Sequence, residues 1–135
     1  MKFIYVAFAA CMLALAAGAS GATPDQVGTW VGTLKTKVYS PSGVIATKDT
    51  MQVEIAADDT TTVTIAGQVQ LPATTEFSPG EGLISYYDPL VLPDTTQIVA
   101  VAHFKGTKMK GTTSGLRIGA GLVETFLGKF KLKKQ

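Results

Sequence analysis

The sequence predicts an all-β domain, an antiparallel up-and-down β-barrel of about eight short strands, with a two-sheet β-sandwich as the alternative. Three observations carry that prediction. Residues 23–135 contain 18 Thr, 11 Val and 6 Ile, side chains branched at Cβ that lose rotamer freedom in a helix and pack well on a pleated surface. Apolar and polar residues alternate with a period of two in several stretches, whereas no stretch keeps a helical period for three turns. Turn formers recur at regular spacing: Ser40-Pro41-Ser42-Gly43, Asp58-Asp59, Pro79-Gly80 and Gly106-Thr107.

Ahead of that domain stands a segment of a different kind. Lys2 precedes an unbroken apolar run over 3–17, and both Ala17-Gly18-Ala19 and Ser20-Gly21-Ala22 offer the small residues that a signal peptidase reads. This pattern predicts a helical N-terminal signal peptide over 1–22, cleaved near Ala19 or Ala22, with a retained anchor as the alternative. One barrel domain over 23–135 follows, and the predicted location is secreted or periplasmic. Cys11 is the sole cysteine and leaves with the signal. A mature chain without cysteine has no disulfide, zinc thiolate or Cys nucleophile, so its stability rests on packing. Asn is absent, which removes N-linked glycan sites.

Along the domain, the first strand over 27–39 places Trp30, Gly32, Leu34, Thr36 and Val38 on one face and Val31, Thr33, Lys35 and Lys37 on the other. Met51, Val53 and Ile55 then oppose Gln52 and Glu54, residues 57–59 break the strand, and 62–65 resumes it as a second hairpin. Residues 73–82, rich in Gly and Pro, read as the longest loop, and 83–87 as a short strand. Leu90-Val91-Leu92, set between prolines, either caps an end of the barrel or lies exposed as a contact patch. Residues 97–105 read as a central strand covered on both faces, 108–115 as its return, and 116–121 as a Gly-rich corner. The last strand, 123–133, sets Phe126, Gly128, Phe130 and Leu132 against Leu127, Lys129, Lys131 and Lys133.

Gly28-Thr29-Trp30, followed by Val31-Gly32-Thr33, resembles the Gly-x-Trp signature that opens lipocalin-like and other calycin barrels. Segments 106–111 and 125–132 resemble the last hairpins of small secreted lipocalin-like domains, whose terminal strand pairs back onto the first. The resemblance implies a minimal lipocalin-like barrel with Trp30 at its closed end, packed beneath a cationic side chain of the final strand. Lys129 or Lys131 would fill that barrel-closing role.

The supply of catalytic groups is thin. After the signal there is one His (His103), one Arg (Arg117) and no hydrolase motif, phosphate loop or metal-ligand cluster, which predicts a non-enzymatic protein with no cofactor and no metal site. His103 reads as a structural or surface residue, and Asp58-Asp59 as a solvated turn rather than calcium ligands. Charge is uneven: residues 23–102 hold 3 Lys against 9 acids, while 103–135 hold 8 Lys and Arg against Glu124 alone. Lys129, Lys131, Lys133 and Lys134 would line the outside of the terminal strand, either protecting a sheet edge or docking an anionic surface. Nucleic acid is not the expected partner, because Phe126 and Phe130 point away from those lysines. A membrane-spanning barrel is not the expected reading, because the outward side of the clearest strand is lysine.

The function expected from these features is a secreted small β-barrel that binds a small hydrophobic molecule or lipid. Leu34, Val53, Ile65, Tyr87 and Phe104 are the expected inner ligand-binding positions, with Phe77 and Tyr86 near a mouth formed by the long loop. The alternative is a non-enzymatic cell-surface or envelope interaction protein whose barrel is filled solid by its own side chains. Oligomeric state has no signature in the sequence.

Overall fold

Period-two alternation becomes nine antiparallel strands in the computed structural model, which describes residues 21–87, 95–119 and 121–135. They are β1 (Gly28–Ser40), β2 (Gly43–Ile55), β3 (Thr61–Ile65), β4 (Gln68–Val69), β5 (Leu71–Ser78), β6 (Glu81–Tyr87), β7 (Thr95–Lys105), β8 (Lys108–Gly119) and β9 (Leu122–Lys134). All join one sheet in the order β4-β3-β2-β1-β9-β8-β7-β6-β5, curled strongly enough to form a half-barrel. A single continuous sheet replaces the sandwich alternative. Neighbours in sequence pair as hairpins except β4 and β5, and the two halves of the sheet are joined by β1 with β9, from Trp30 opposite Lys134 to Tyr39 opposite Thr125. The first and last strands therefore lie in the middle of the sheet. The predicted signal segment falls outside the described residues except at its end, as does Leu90-Val91-Leu92.

The curl has a local cause. Gly32, Gly82, Gly111 and Gly128 all lie on the inner face, where a side chain would meet the neighbouring strand's backbone at Gly32 and Gly111 and the side chains of Phe77 and Thr113 at Gly82 and Gly128. A Cβ on Gly111 would stand 1.8 Å from the Val101 carbonyl oxygen, and one on Gly32 would stand 1.9 Å from that of Lys131. Glycine at these points lets the sheet fold inward without a collision. Phe130 and Phe77 then lie across Gly111 and Gly82, replacing the missing apolar surface.

Several boundaries differ from the expected ones. Residues 73–82 are not a long loop: β5 and β6 form a tight hairpin turned by Pro79-Gly80, with Gly80 at φ 81° and a register shift between Pro72 and Thr74. The 116–121 stretch is not a corner either, since β8 runs on through Gly119. Strand β2 begins at Gly43, directly after the turn, rather than at Met51. In β7 the outer face is open, with Gln97, Val101 and His103 exposed. The two free ends of the sheet, β4 and β5, are joined by Gln70, whose N–H donates to the Val63 carbonyl at 2.8 Å.

The core lies entirely on the inner face. Trp30, Val53, Val63, Ile84, Ala100, Ala102, Met109, Phe130 and Leu132 are buried there, and burial of this apolar area is the main stabilising term available to a fold without disulfides.

Candidate functional site

The inner face divides into a packed end and a hollow end, and Trp30 defines the packed one. Its ring is fully enclosed, meets Phe104 edge to face at 5.3 Å between centroids, and donates Nε1–H to the Gln26 carbonyl at 3.0 Å. Gln26 itself is fully buried. Its Nε2 donates to the Ser78 carbonyl at 2.7 Å and its Oε1 accepts from the Thr23 N–H at 2.9 Å, so one amide ties the N-terminal turn to the β5–β6 hairpin. The cation above Trp30 is Lys134, with Nζ 5.5 Å from the ring centroid and donating to the Asp25 carbonyl at 3.0 Å. Lys129 and Lys131, expected in that place, are exposed on the outer face instead, because alternation gives them the parity opposite to Phe130 and Leu132. Lys134 shares the parity of the inner residues and stands directly across from Trp30. The Thr23 hydroxyl bonded to Asp25 holds that carboxyl below its usual range.

Toward the other end the inner face opens into a concavity of about 220 Å³. Its walls come from β1, β3, β6, β7 and β9 through Leu34, Val38, Ile65, Tyr86, Ile98 and Phe126. Polar groups line it on two walls: Asp49, directly across from Leu34, with Gln68 and Gln70 on the side of β2 to β4, and Thr113 on β8 opposite them. Beyond Phe126, Arg117 and Glu124 face each other across β8 and β9 and form an ion pair on the same inner side.

The expected ligand-binding residues therefore separate. Leu34, Ile65 and Tyr86 line the concavity. Val53, Phe77 and Phe104 belong to the packed end with Trp30, where Phe77 and Phe104 are 6.4 Å apart. Tyr87 lies on the outer side, since its neighbour Tyr86 points inward. Phe77 and Tyr86 do not flank a mouth formed by 73–82, because those residues form the β5–β6 hairpin. Sequence reasoning passed over Asp49, Ile98, Thr113 and Phe126, although Asp49 shares the parity of Met51 and Phe126 that of Phe130. His103 is exposed with Nδ1 3.7 Å from Glu81. Asp59 accepts the Ala22 N–H at 2.7 Å, and the Thr60 N–H bonded to Asp58 lowers its carboxyl pKa. Both acids are engaged within their own turn and its neighbour.

Larger grooves exist on the outer face, of about 620 Å³ along Lys35, Lys37 and Lys48 and about 460 Å³ beside Lys110, Lys129 and Lys131. Flexible lysine stems wall them, whereas the floor of the inner concavity is formed by Leu34, Tyr86 and Ile98 of the core, with Ile65 and Phe126 packed against it. Only the latter has the permanence a small-molecule site needs. Comparison with protein-family models, with curated proteins and with solved structures finds no match for this chain.

Proposed function

We propose that this protein is a binding protein for a small, mainly apolar molecule, seated on the inner face at the hollow end of the sheet. The observation that carries the proposal is the concavity of about 220 Å³ lined by Leu34, Val38, Ile65, Tyr86, Ile98 and Phe126. The concavity is open on one side, so its volume of about 220 Å³ suits the seated part of a ligand no larger than a single ring or a short acyl segment. Asp49 and Gln70 supply hydrogen-bonding capacity at the β2 side, favouring a ligand with an apolar body and a polar end that can donate. The sheet acts here as a minimal lipocalin-like up-and-down barrel, closed at the Trp30 end and loaded from the other. The protein works by binding rather than by catalysis, outside the cytoplasm, where the signal pattern over 1–22 would deliver it.

The test compares the mass of the protein from its native source under native and denaturing conditions. A discrete adduct released on denaturation is the expected result, and Ile98→Phe, which fills the concavity, should abolish it while leaving the fold intact. A clean apo mass for the wild type, unchanged after exposure to a mixed lipid extract, overturns the proposal.

A further inference from the structure

The outer face of the sheet presents a separate problem. Lys35 stands directly opposite both Lys48 and Lys129, Lys110 opposite Lys131, and Lys108 opposite Lys133. Like charges in directly opposed positions destabilise a sheet. On β1, β8 and β9 no carboxylate among the described residues shares this face, and on β2 Glu54 alone does, opposite Thr29. Edge protection does not explain the lysines, because β9 lies between β1 and β8 in the interior of the sheet. The arrangement is one that an external anion would stabilise.

A second observation lies next to it. Toward the tips of the β1–β2 and β8–β9 hairpins the same outer face turns apolar, with Tyr39, Val44, Leu116, Ile118, Val123 and Leu127 all exposed, Ile118 by 53% and Leu127 by 47%. Tyr39 pairs with Val44, Ile118 with Val123, and Leu127 with Lys37 at the border of the basic band. The face thus carries apolar hairpin tips followed by a band of lysines. A bilayer carrying anionic lipid offers the matching sequence of hydrocarbon and then negative headgroups. Single-stranded nucleic acid would ask for aromatic rings among the lysines, and the band offers Thr33 and Thr112 there.

We infer that the outer face of β2, β1, β9 and β8 docks onto an anionic lipid bilayer, the lysine band on the headgroups and the apolar hairpin tips in the interfacial layer. The inference rests on the convex side of the sheet and is independent of the inner concavity.

Flotation of the full-length chain with vesicles of phosphatidylcholine alone, and of phosphatidylcholine mixed with phosphatidylglycerol, tests it. Mixed vesicles are expected to bind at least ~30-fold better than neutral ones, with the difference shrinking as salt is raised. Lys129→Gln combined with Lys131→Gln should cut binding to mixed vesicles roughly 30-fold, at about fivefold per lysine. Leu116→Ser combined with Leu127→Ser should weaken binding to both vesicle types. Any lipid affinity of the apolar 3–17 run is common to wild type and variants and cancels in the ratio. Equal binding to neutral and anionic vesicles, lysine variants that bind like wild type, or tighter binding to a single-stranded oligonucleotide than to mixed vesicles would each overturn the inference.

Discussion

A fully enclosed side-chain amide must find partners for its polar atoms or forfeit their hydration, and at Gln26 they are found on segments far apart in the chain. Truncation by Gln26→Ala leaves the Ser78 carbonyl and the Thr23 N–H without this partner and opens a void beside Trp30. We expect a loss of about 3 kcal/mol, read as a fall in Tm of roughly 10 °C or more. Gln26→Glu should be comparably damaging at neutral pH, because it keeps the acceptor, loses the donor and encloses a charge. A loss below about 1 kcal/mol for the alanine variant would show that water replaces the amide at little cost. Nothing in the sequence singles out Gln26, a polar residue ahead of the first strand whose importance arises only when β5 and β6 fold over it. Lys134 was legible in principle. Its parity matches Phe130 and Leu132, but the basic run Lys129, Lys131, Lys133, Lys134 draws attention to charge and away from alternation, and the family resemblance was satisfied by the wrong lysines.

Among elements, β1 and β9 were readable because their inner and outer residues differ sharply in polarity, and burial follows the alternation: Phe130 and Leu132 buried, Lys129 and Lys131 exposed. Strand β2 was readable only from Met51 onward, since 43–48 is exposed on both faces and carries no contrast. The β5–β6 hairpin and the end of β8 were hidden by glycines, which normally mark loops but here serve close strand approach. Half of the hollow site followed from alternation, Leu34 and Ile65 among it, while the rest depended on register between strands remote in sequence. Gly111 tests this account of the glycines. A methyl carbon added there would stand 1.8 Å from the Val101 carbonyl oxygen, with Phe130 lying across the same point, so Gly111→Ala must push β7 and β8 apart. We expect a cost of about 3 kcal/mol by urea denaturation, at the upper end of ordinary overpacking. The control is Gly43→Ala, at a hairpin turn where no atom lies within 4 Å of the added carbon, so only the strain of φ 132° is felt. If Gly111→Ala proves no worse than Gly43→Ala, the close approach is not what shapes the curl.

At the scale of the whole molecule, a formal charge of +2 conceals a strong separation, because the acids sit largely outside the face that β1, β8 and β9 present while the lysines fill it. Five directly opposed lysine pairs on the outer face, Lys105 with Lys108 included, repel at short range, and mobile ions screen such exposed charges. Stability should therefore rise as sodium chloride is added to a low-salt buffer, opposite to the behaviour of a fold held by surface ion pairs. Relief of about 1 kcal/mol in total corresponds to a Tm increase of roughly 5 °C for a domain of this size. Lys35 takes part in two of the five pairs. Lys35→Gln should accordingly raise the low-salt Tm and flatten its dependence on salt, at a position where no core contact is lost. Thermal melts of wild type and variant across a salt series decide the matter. A wild-type Tm that is flat or falls with salt would mean that the opposed lysines spread into solvent without strain, and that the charge on this face carries no stability cost for an anionic surface to relieve.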